Sequence, residues 1–204
     1  MSIKEHFTSR YPGGFIIEAD WASLELYGWA YLTRDPTLLK LIKEGKDPHR
    51  YVGSMVLNCK PEDIDDKTRK QLKTRNFLLV YGGWWSELVR SHGMEVEDAK
   101  RLYQVFWDTF PVARLWQDNV CDKVEMSKQL IDSYTPQGHQ QHLGSYQNIT
   151  GRKFFFKTYD TSDNEKRHGK LTKFKRPEMV NYPVQSFSTA DIHMTALGML
   201  WRVS

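Results

Sequence analysis

The stretch Arg69 to Gly83, R-K-Q-L-K-T-R-N-F-L-L-V-Y-G-G, most limits what this chain can fold into. It opens basic, becomes apolar in its middle and stops on two glycines. Arg69, Lys73, Phe77 and Tyr81 recur every four residues, so a helix sets them along one slowly drifting stripe. Two cations followed by two aromatic rings suit a flat anion such as a nucleoside triphosphate. Its phosphates would lie at the basic end, its base and sugar against the rings. An ordinary amphipathic helix, with a solvated basic half and a buried apolar half, has the same pattern. The segments around the stretch decide between the two.

Helix starts are marked twice by Asp-Pro, at Asp35-Pro36 and Asp47-Pro48, where the carboxylate caps and the proline takes the first helical position. The first of these helices ends at Gly45 and the second near Leu57. Asp65 or Asp66 caps the helix of the opening stretch. A helix over Trp84 to Ser91 ends at Gly93. Val96 to Phe110 carries Ala99, Leu102, Tyr103, Phe106 and Phe110 at helical spacing, and Pro111 starts another helix to about Ser127. Ahead of these, Tyr11-Pro12-Gly13-Gly14 reads as a turn. Phe15 to Asp20 reads as a strand, and Trp21 to Leu32 as a helix. Behind them, Gly138 to Phe156 reads as a short hairpin or irregular β region, and Thr161 to Lys175 as an exposed charged loop. Asn181-Tyr182-Pro183 leads into a final helix from about Gln185. The class expected is α+β, predominantly helical.

With 204 residues and 40% hydrophobic content, the chain can bury a substantial core. The net charge of +4 permits a nucleic-acid partner without requiring one. Cys59 and Cys121 are the only cysteines, which argues against a disulfide framework or a cysteine-built zinc site and suits a reducing compartment. No secretory leader and no apolar run of membrane-spanning length is present, so a soluble cytoplasmic protein without a membrane partner is expected.

Asp20 closes an apolar strand with Glu25 shortly after it. A carboxylate there suits a hard cation such as Mg²⁺, although aspartate also follows strands merely because it tolerates turns. His49 lies in the first turn of its helix and reads by itself as a surface residue. His139 and His142 lack neighbouring ligands for a metal pair. Walker-type and dinucleotide glycine motifs are absent, as is a nucleophile elbow.

Taken in order, four segments resemble those of family A DNA polymerases, the group of bacterial DNA polymerase I and many phage replicases. D-W-A-S-L-E-L (Asp20 to Leu26) resembles motif A, and K-T-R-N-F-L-L-V-Y-G (Lys73 to Gly82) resembles motif B on the O helix of the fingers. G-K-D-P-H (Gly45 to His49) and N-Y-P-V-Q (Asn181 to Gln185) match two further segments. The texture is closest to phage-type members. The resemblance implies palm for residues 1–34, fingers for 35–134 with the O helix near 66–82, and a second, truncated palm part for 135–204. That palm would comprise the motif A strand, the hairpin and the C-terminal helix.

It further implies that Asp20 and the Trp21 backbone carbonyl ligate the two Mg²⁺ ions of a two-metal phosphoryl transfer. Glu25 would be the steric gate against a ribose 2′-OH. Arg69 and Lys73 would hold the dNTP triphosphate, with His49 adding a contact and Lys73 positioned to protonate pyrophosphate. Phe77 would stack beside sugar and base, and Tyr81 would close the pocket. Gly82 would let the helix swing, while Arg152, Asn181 and Gln185 would contact primer-template DNA.

The chain departs from the family at several points. The His-Asp-Glu motif C, with the second catalytic aspartate, does not follow the last helix. The polypeptide is therefore expected to be inactive alone and to need a second polypeptide, or a missing C-terminal segment, carrying that motif. Leu78 replaces a glycine after the motif B phenylalanine. Pro177 stands near a family arginine, with Arg176 as a stand-in. Two alternatives remain at this level. One is a non-catalytic nucleotide- or DNA-binding remnant; the other is a single-subunit RNA polymerase, against which Glu25 and Phe77 argue. For a phage-encoded member the location implied is the bacterial host cytoplasm.

Overall fold

The computed structural model of the chain describes residues 7–15 and 23–203. Helices lead: α1 (Leu24–Thr33), α2 (Pro36–Lys43), α3 (Pro48–Leu57), a 3-10 turn (Pro61–Asp63), α4 (Asp66–Val80), α5 (Trp85–His92), α6 (Val96–Thr109) and α7 (Pro111–Met126). Strands β1 (Gln129–Tyr134), β2 (Gln140–Gln147) and β3 (Lys153–Lys157) follow. Next come β4 (Tyr159–Asp160), the short helix α8 (Asp163–Arg167) and β5 (Thr172–Lys173). The description ends with α9 (Arg176–Gln185), a π-helical turn (Ser186–Asp191) and α10 (Ile192–Val203). The fold is α+β and predominantly helical. Among the described residues no helix is long and apolar enough to cross a membrane.

Both Asp-Pro starts form as their chemistry requires. Asp35 Oδ1 accepts from the Thr37 and Leu38 amides at 3.0 and 3.1 Å. Asp47 Oδ1 accepts from His49 and Arg50 at 2.8 and 3.3 Å. Of the two candidate caps for α4 it is Asp65 that serves, accepting from Thr68 at 2.7 Å. Asp35 does more than a local cap. Its second oxygen accepts from the Val112 and Ala113 amides at 3.0 and 3.2 Å, so one fully buried carboxylate caps α2 and α7 together.

The main core lies where α1, α2, α3, α4, α5 and α6 meet. Trp29 is fully buried there, stacked on Phe106 at 5.9 Å and edge-on to Phe110 at 5.8 Å. A second cluster joins α7, the sheet and α9 through Val120, Val124, Phe156, Phe174, Met179 and Val180.

One expectation is extended and two are corrected. The hairpin expected over 138–156 forms as β2 and β3, and β1 adds a third antiparallel strand, giving the order β1-β2-β3. Gln129–Tyr134 looks polar in sequence, but Ser127 turns it onto β2, its hydroxyl donating to the Ser145 carbonyl and accepting from the Ser145 amide. Gly144 permits that approach: a Cβ there would lie 2.6 Å from the Val124 carbonyl oxygen and 2.9 Å from the Phe174 ring. The 161–175 stretch is not simply a loop. It holds α8, started by a reciprocal Ser162–Glu165 capping box, and β5, which pairs with β4.

The final helix starts at Arg176, nine residues earlier than expected from Gln185. Pro177 sits comfortably in its first turn, and the chain runs helically through Pro183. Pro183 lacks an amide and crowds the preceding turn, and the π-helical turn follows one turn later. Thr189 and Thr195 hydroxyls donate to the Gln185 and Asp191 carbonyls across that turn, at 2.6 and 2.8 Å. The expected strand at 15–20 lies outside the described residues except for exposed Phe15.

Candidate functional site

Helix α4 carries the stripe as its spacing requires. Lys73 Nζ lies 5.7 Å from the Phe77 ring centroid, and the Phe77 and Tyr81 rings stack at 5.7 Å. At the basic end, Arg69 Nε donates to Asp47 Oδ2, the oxygen of Asp47 that its cap does not use. The guanidinium is thereby ion-paired with Asp47, while its terminal nitrogens make no hydrogen bond among the described residues and remain a two-pronged donor. Burial raises the Asp47 pKa, but the Arg69 and His49 hydrogen bonds and the His49 and Arg69 charges outweigh it. The carboxyl is held below its usual range.

His49 is buried rather than on the surface. Its Nδ1 lies 3.3 Å from Asn76 Nδ2 on α4, and its ring centroid 5.5 Å from that of Phe77. Burial lowers its pKa to about 4; Asp47 opposes this, and the Arg69 and Lys73 charges add to it. His49 is therefore a neutral hydrogen-bonding group near pH 7 and adds no charge to the basic end. A small cavity of about 160 Å³, lined in part by Ser23, Lys46, Asp47, His49 and Arg69, opens beside it.

At the aromatic end three elements meet on one side chain. Gln185 of α9 donates through Nε2 to Glu25 Oε1 of α1 and to the Tyr81 hydroxyl, both at 2.9 Å. Burial, then the Glu25 charge and hydrogen bond, raise the Tyr81 pKa, so the hydroxyl stays protonated. Gln185, expected to face DNA, thus also ties Glu25 to the end of α4. Asn181 lies one turn before it, with a buried Oδ1 that has no partner among the described residues.

Gly82 has φ of +81°, and a Cβ there would lie 3.4 Å from Arg176 and Val180; at Gly83 it would fall 2.2 Å from Leu78 Cδ2. The glycines allow the chain leaving α4 to run close under α9. Arg152, after the left-handed Gly151, pairs with Asp191 of the π turn at 2.7 Å, and Thr150 Oγ1 donates to the same carboxylate at 2.8 Å. Arg176 is engaged by Asp118 at 2.7 Å and Gln117 Oε1 at 3.3 Å.

Sequence reasoning missed Gln117. It is fully buried on α7, and its Nε2 donates to the Leu79 and Val80 carbonyls at 3.1 and 2.8 Å, closing the C-terminal end of α4. A glutamine on a stripe otherwise made of Ala113, Val120 and Val124 was the available signal. Asp20 and Trp21, the metal assignments, lie outside the described residues. Among the described residues no three His, Cys, Asp or Glu cluster as a metal site would require.

The family model described as DNA polymerase family A matches residues 1–202. DNA polymerase I of Aquifex aeolicus (strain VF5) is 29% identical over 179 residues, covering 85% of this chain and 26% of that protein. DNA polymerase I of Streptococcus pneumoniae is 23% identical over 199 residues, covering 97% of this chain and 20% of the relative. Among solved structures, the POL domain of Pol1 from M. smegmatis, in complex with DNA primer-template and dNTP, matches with a TM-score of 0.54. That match has 20% identity and covers 81% of this chain and 26% of the other. It shows likeness of fold. The chain spans about a quarter or less of the length of these relatives.

Proposed function

Because this chain belongs to DNA polymerase family A, we propose that it is the nucleotide-holding portion of a DNA-directed DNA polymerase, able to seat a dNTP but not to polymerise alone. One observation carries the reading. Arg69, Lys73 and Phe77 lie along α4 with Tyr81 at its C-cap, and Glu25 is joined to Tyr81 through Gln185. A triphosphate would meet the terminal guanidinium nitrogens of Arg69 and the Lys73 ammonium, and its sugar would lie by Phe77 and Glu25. The Glu25 carboxylate, fixed by Gln185, would occupy the space of a 2′-OH, so deoxyribonucleotides are preferred. Lys73 is the group positioned to give a proton to departing pyrophosphate.

The resemblance implies fingers over residues 35–134; ending them near residue 128 instead is the reading we propose. Residues 1–34 and the part from Gln129 onward would belong to the palm, a boundary that keeps the sheet whole. Asp20 and the Trp21 carbonyl are the proposed Mg²⁺ ligands; bound there, the ions would stabilise phosphate charge and make the primer 3′-OH more acidic. Arg152 and Asn181 would support primer-template DNA, and a segment bearing His-Asp-Glu, on this chain's natural continuation or on a second polypeptide, would complete the metal site. The setting proposed is phage or bacterial DNA replication in a bacterial cytoplasm.

Primer extension with Mg²⁺ and dNTPs, run with the chain alone and with a polypeptide bearing the His-Asp-Glu segment, tests this. Extension only in the mixture is expected, and Asp20→Ala should abolish it while DNA binding persists. Triphosphate binding with no extension in any mixture would mark a non-catalytic remnant instead.

A further inference from the structure

The excess charge of this chain is not spread evenly. Residues 129–175 hold eight Lys and Arg against four Asp and Glu, a charge of +4, which is all of the chain's formal net charge. The remaining residues hold 21 of each sign. The same segment supplies most of the lining of a cleft of about 640 Å³ between the end of α7, strands β1 and β2, and the turn from α8 into β5. Its rim carries Lys128, Lys170 and Lys173 with His139, His142 and His168; among the described lining residues the one carboxylate is Glu125, and His139 Nδ1 is held by Asp160 at 2.7 Å. It shares no lining residue with the α4 stripe.

Three features of the cleft favour an extended polyanion over structural use of these charges. Lys170 Nζ and the rings of His142 and His168 make no hydrogen bond or ion pair among the described residues. Lys128 and Lys173 do have partners, Glu125 at 3.4 Å and Glu165 at 2.7 Å. Both pairs are partly solvated, and such pairs contribute about 0–1 kcal/mol, so a phosphate can compete for the ammonium groups. Leu130 and Leu171 leave apolar surface on the same rim, exposed by 59% and 49%, where a sugar or base face can rest. Cations spread along an open cleft, with apolar surface between them, match a chain of phosphodiesters better than one small anion.

We infer that this cleft binds the phosphate backbone of a nucleic-acid strand, as a second contact separate from the triphosphate site on α4. The inference does not depend on that site. Fluorescence anisotropy of the whole chain with a labelled single strand and with a labelled duplex, across a salt titration, tests it.

Replacing Lys128, Lys170 and Lys173 together by glutamine should weaken binding at least about tenfold. It should also flatten the log–log salt slope by about 2 for a single strand, at about 0.7 per phosphate contact. Lys170→Glu, which breaks no ion pair, should weaken binding with an unchanged melting curve. A loss on either nucleic acid supports the inference and identifies the form bound; unchanged affinity and slope on both overturn it. So does equal displacement of the oligonucleotide by inorganic phosphate, which would make the cleft a simple anion site. Arg69→Ala serves as the control, lowering triphosphate binding while leaving the cleft's salt slope intact.

Discussion

Asp47 and Arg69 are joined so that each keeps a second role: the carboxylate caps α3 with one oxygen and takes Arg69 Nε with the other, leaving the two terminal guanidinium nitrogens without a hydrogen bond among the described residues. The anchor comes from a helix packed against α4 and not from α4 itself, so the guanidinium's direction is a tertiary property. In the proposed triphosphate site, this would hold a cation on a solvated helix end ready for an anion.

Arg69→Ala should therefore reduce affinity for a nucleoside triphosphate by about 2 kcal/mol, roughly thirtyfold, the scale of a charge-assisted hydrogen bond. Affinity for the matching nucleoside should change little. Isothermal titration with both ligands checks this, and parallel losses would show that Arg69 does not meet the phosphates.

The buried His49 makes stability depend on pH. Its folded pKa of about 4 lies below the ordinary 6.5, so the unfolded chain takes up the proton first. The stabilisation is complete above pH 6.5 and is lost as pH falls towards 4, by up to about 3 kcal/mol. Urea denaturation across that range should show the decline, and His49→Gln should flatten it.

Asp35 links α2 to α7 through four backbone amides. Removing both caps with Asp35→Ala should cost about 1–4 kcal/mol, twice the usual single cap. Asp35→Asn should fall between, because its amide group can accept from one helix only. Thermal and chemical unfolding distinguish these; a loss of only one cap's size would mean that the α7 contact contributes nothing.

Gln185 holds Glu25 against the end of α4, so, if Glu25 is the proposed gate, Gln185→Ala should loosen it without removing it. In an active, completed polymerase, ribonucleotide use relative to deoxyribonucleotide should rise for Gln185→Ala and rise further for Glu25→Ala. Equal ratios in wild type and both variants would remove Glu25 from the role of gate.

Gln117→Leu keeps the volume on α7 but leaves the Leu79 and Val80 carbonyls without their side-chain donor. A loss of about 1–3 kcal/mol is expected. Faster amide exchange should be confined to the end of α4 and the Tyr81–Gly83 turn. Uniformly faster exchange would contradict a local role.

Much of the helical part was legible because its signals are local. Asp-Pro starts, Gly93 after α5 and the four-residue spacing on α4 act through neighbours in sequence, and those elements form within one or two residues of expectation. The sheet was underread because Gln129–Tyr134 has no apolar alternation of its own and becomes a strand by pairing with β2. The start of α9 was misplaced because Pro183 reads as a boundary, whereas here it is carried inside a helix.

The sequence by itself determined which groups ride on α4 and in what order, since helical geometry converts a spacing of four into a stripe. Only the tertiary structure decided their state: His49 buried and neutral, Arg69 aimed by Asp47, Glu25 and Tyr81 joined by a glutamine from α9. Spacing acts over one helical turn, whereas burial and the pairing of charges depend on residues brought together across gaps of up to 160 positions.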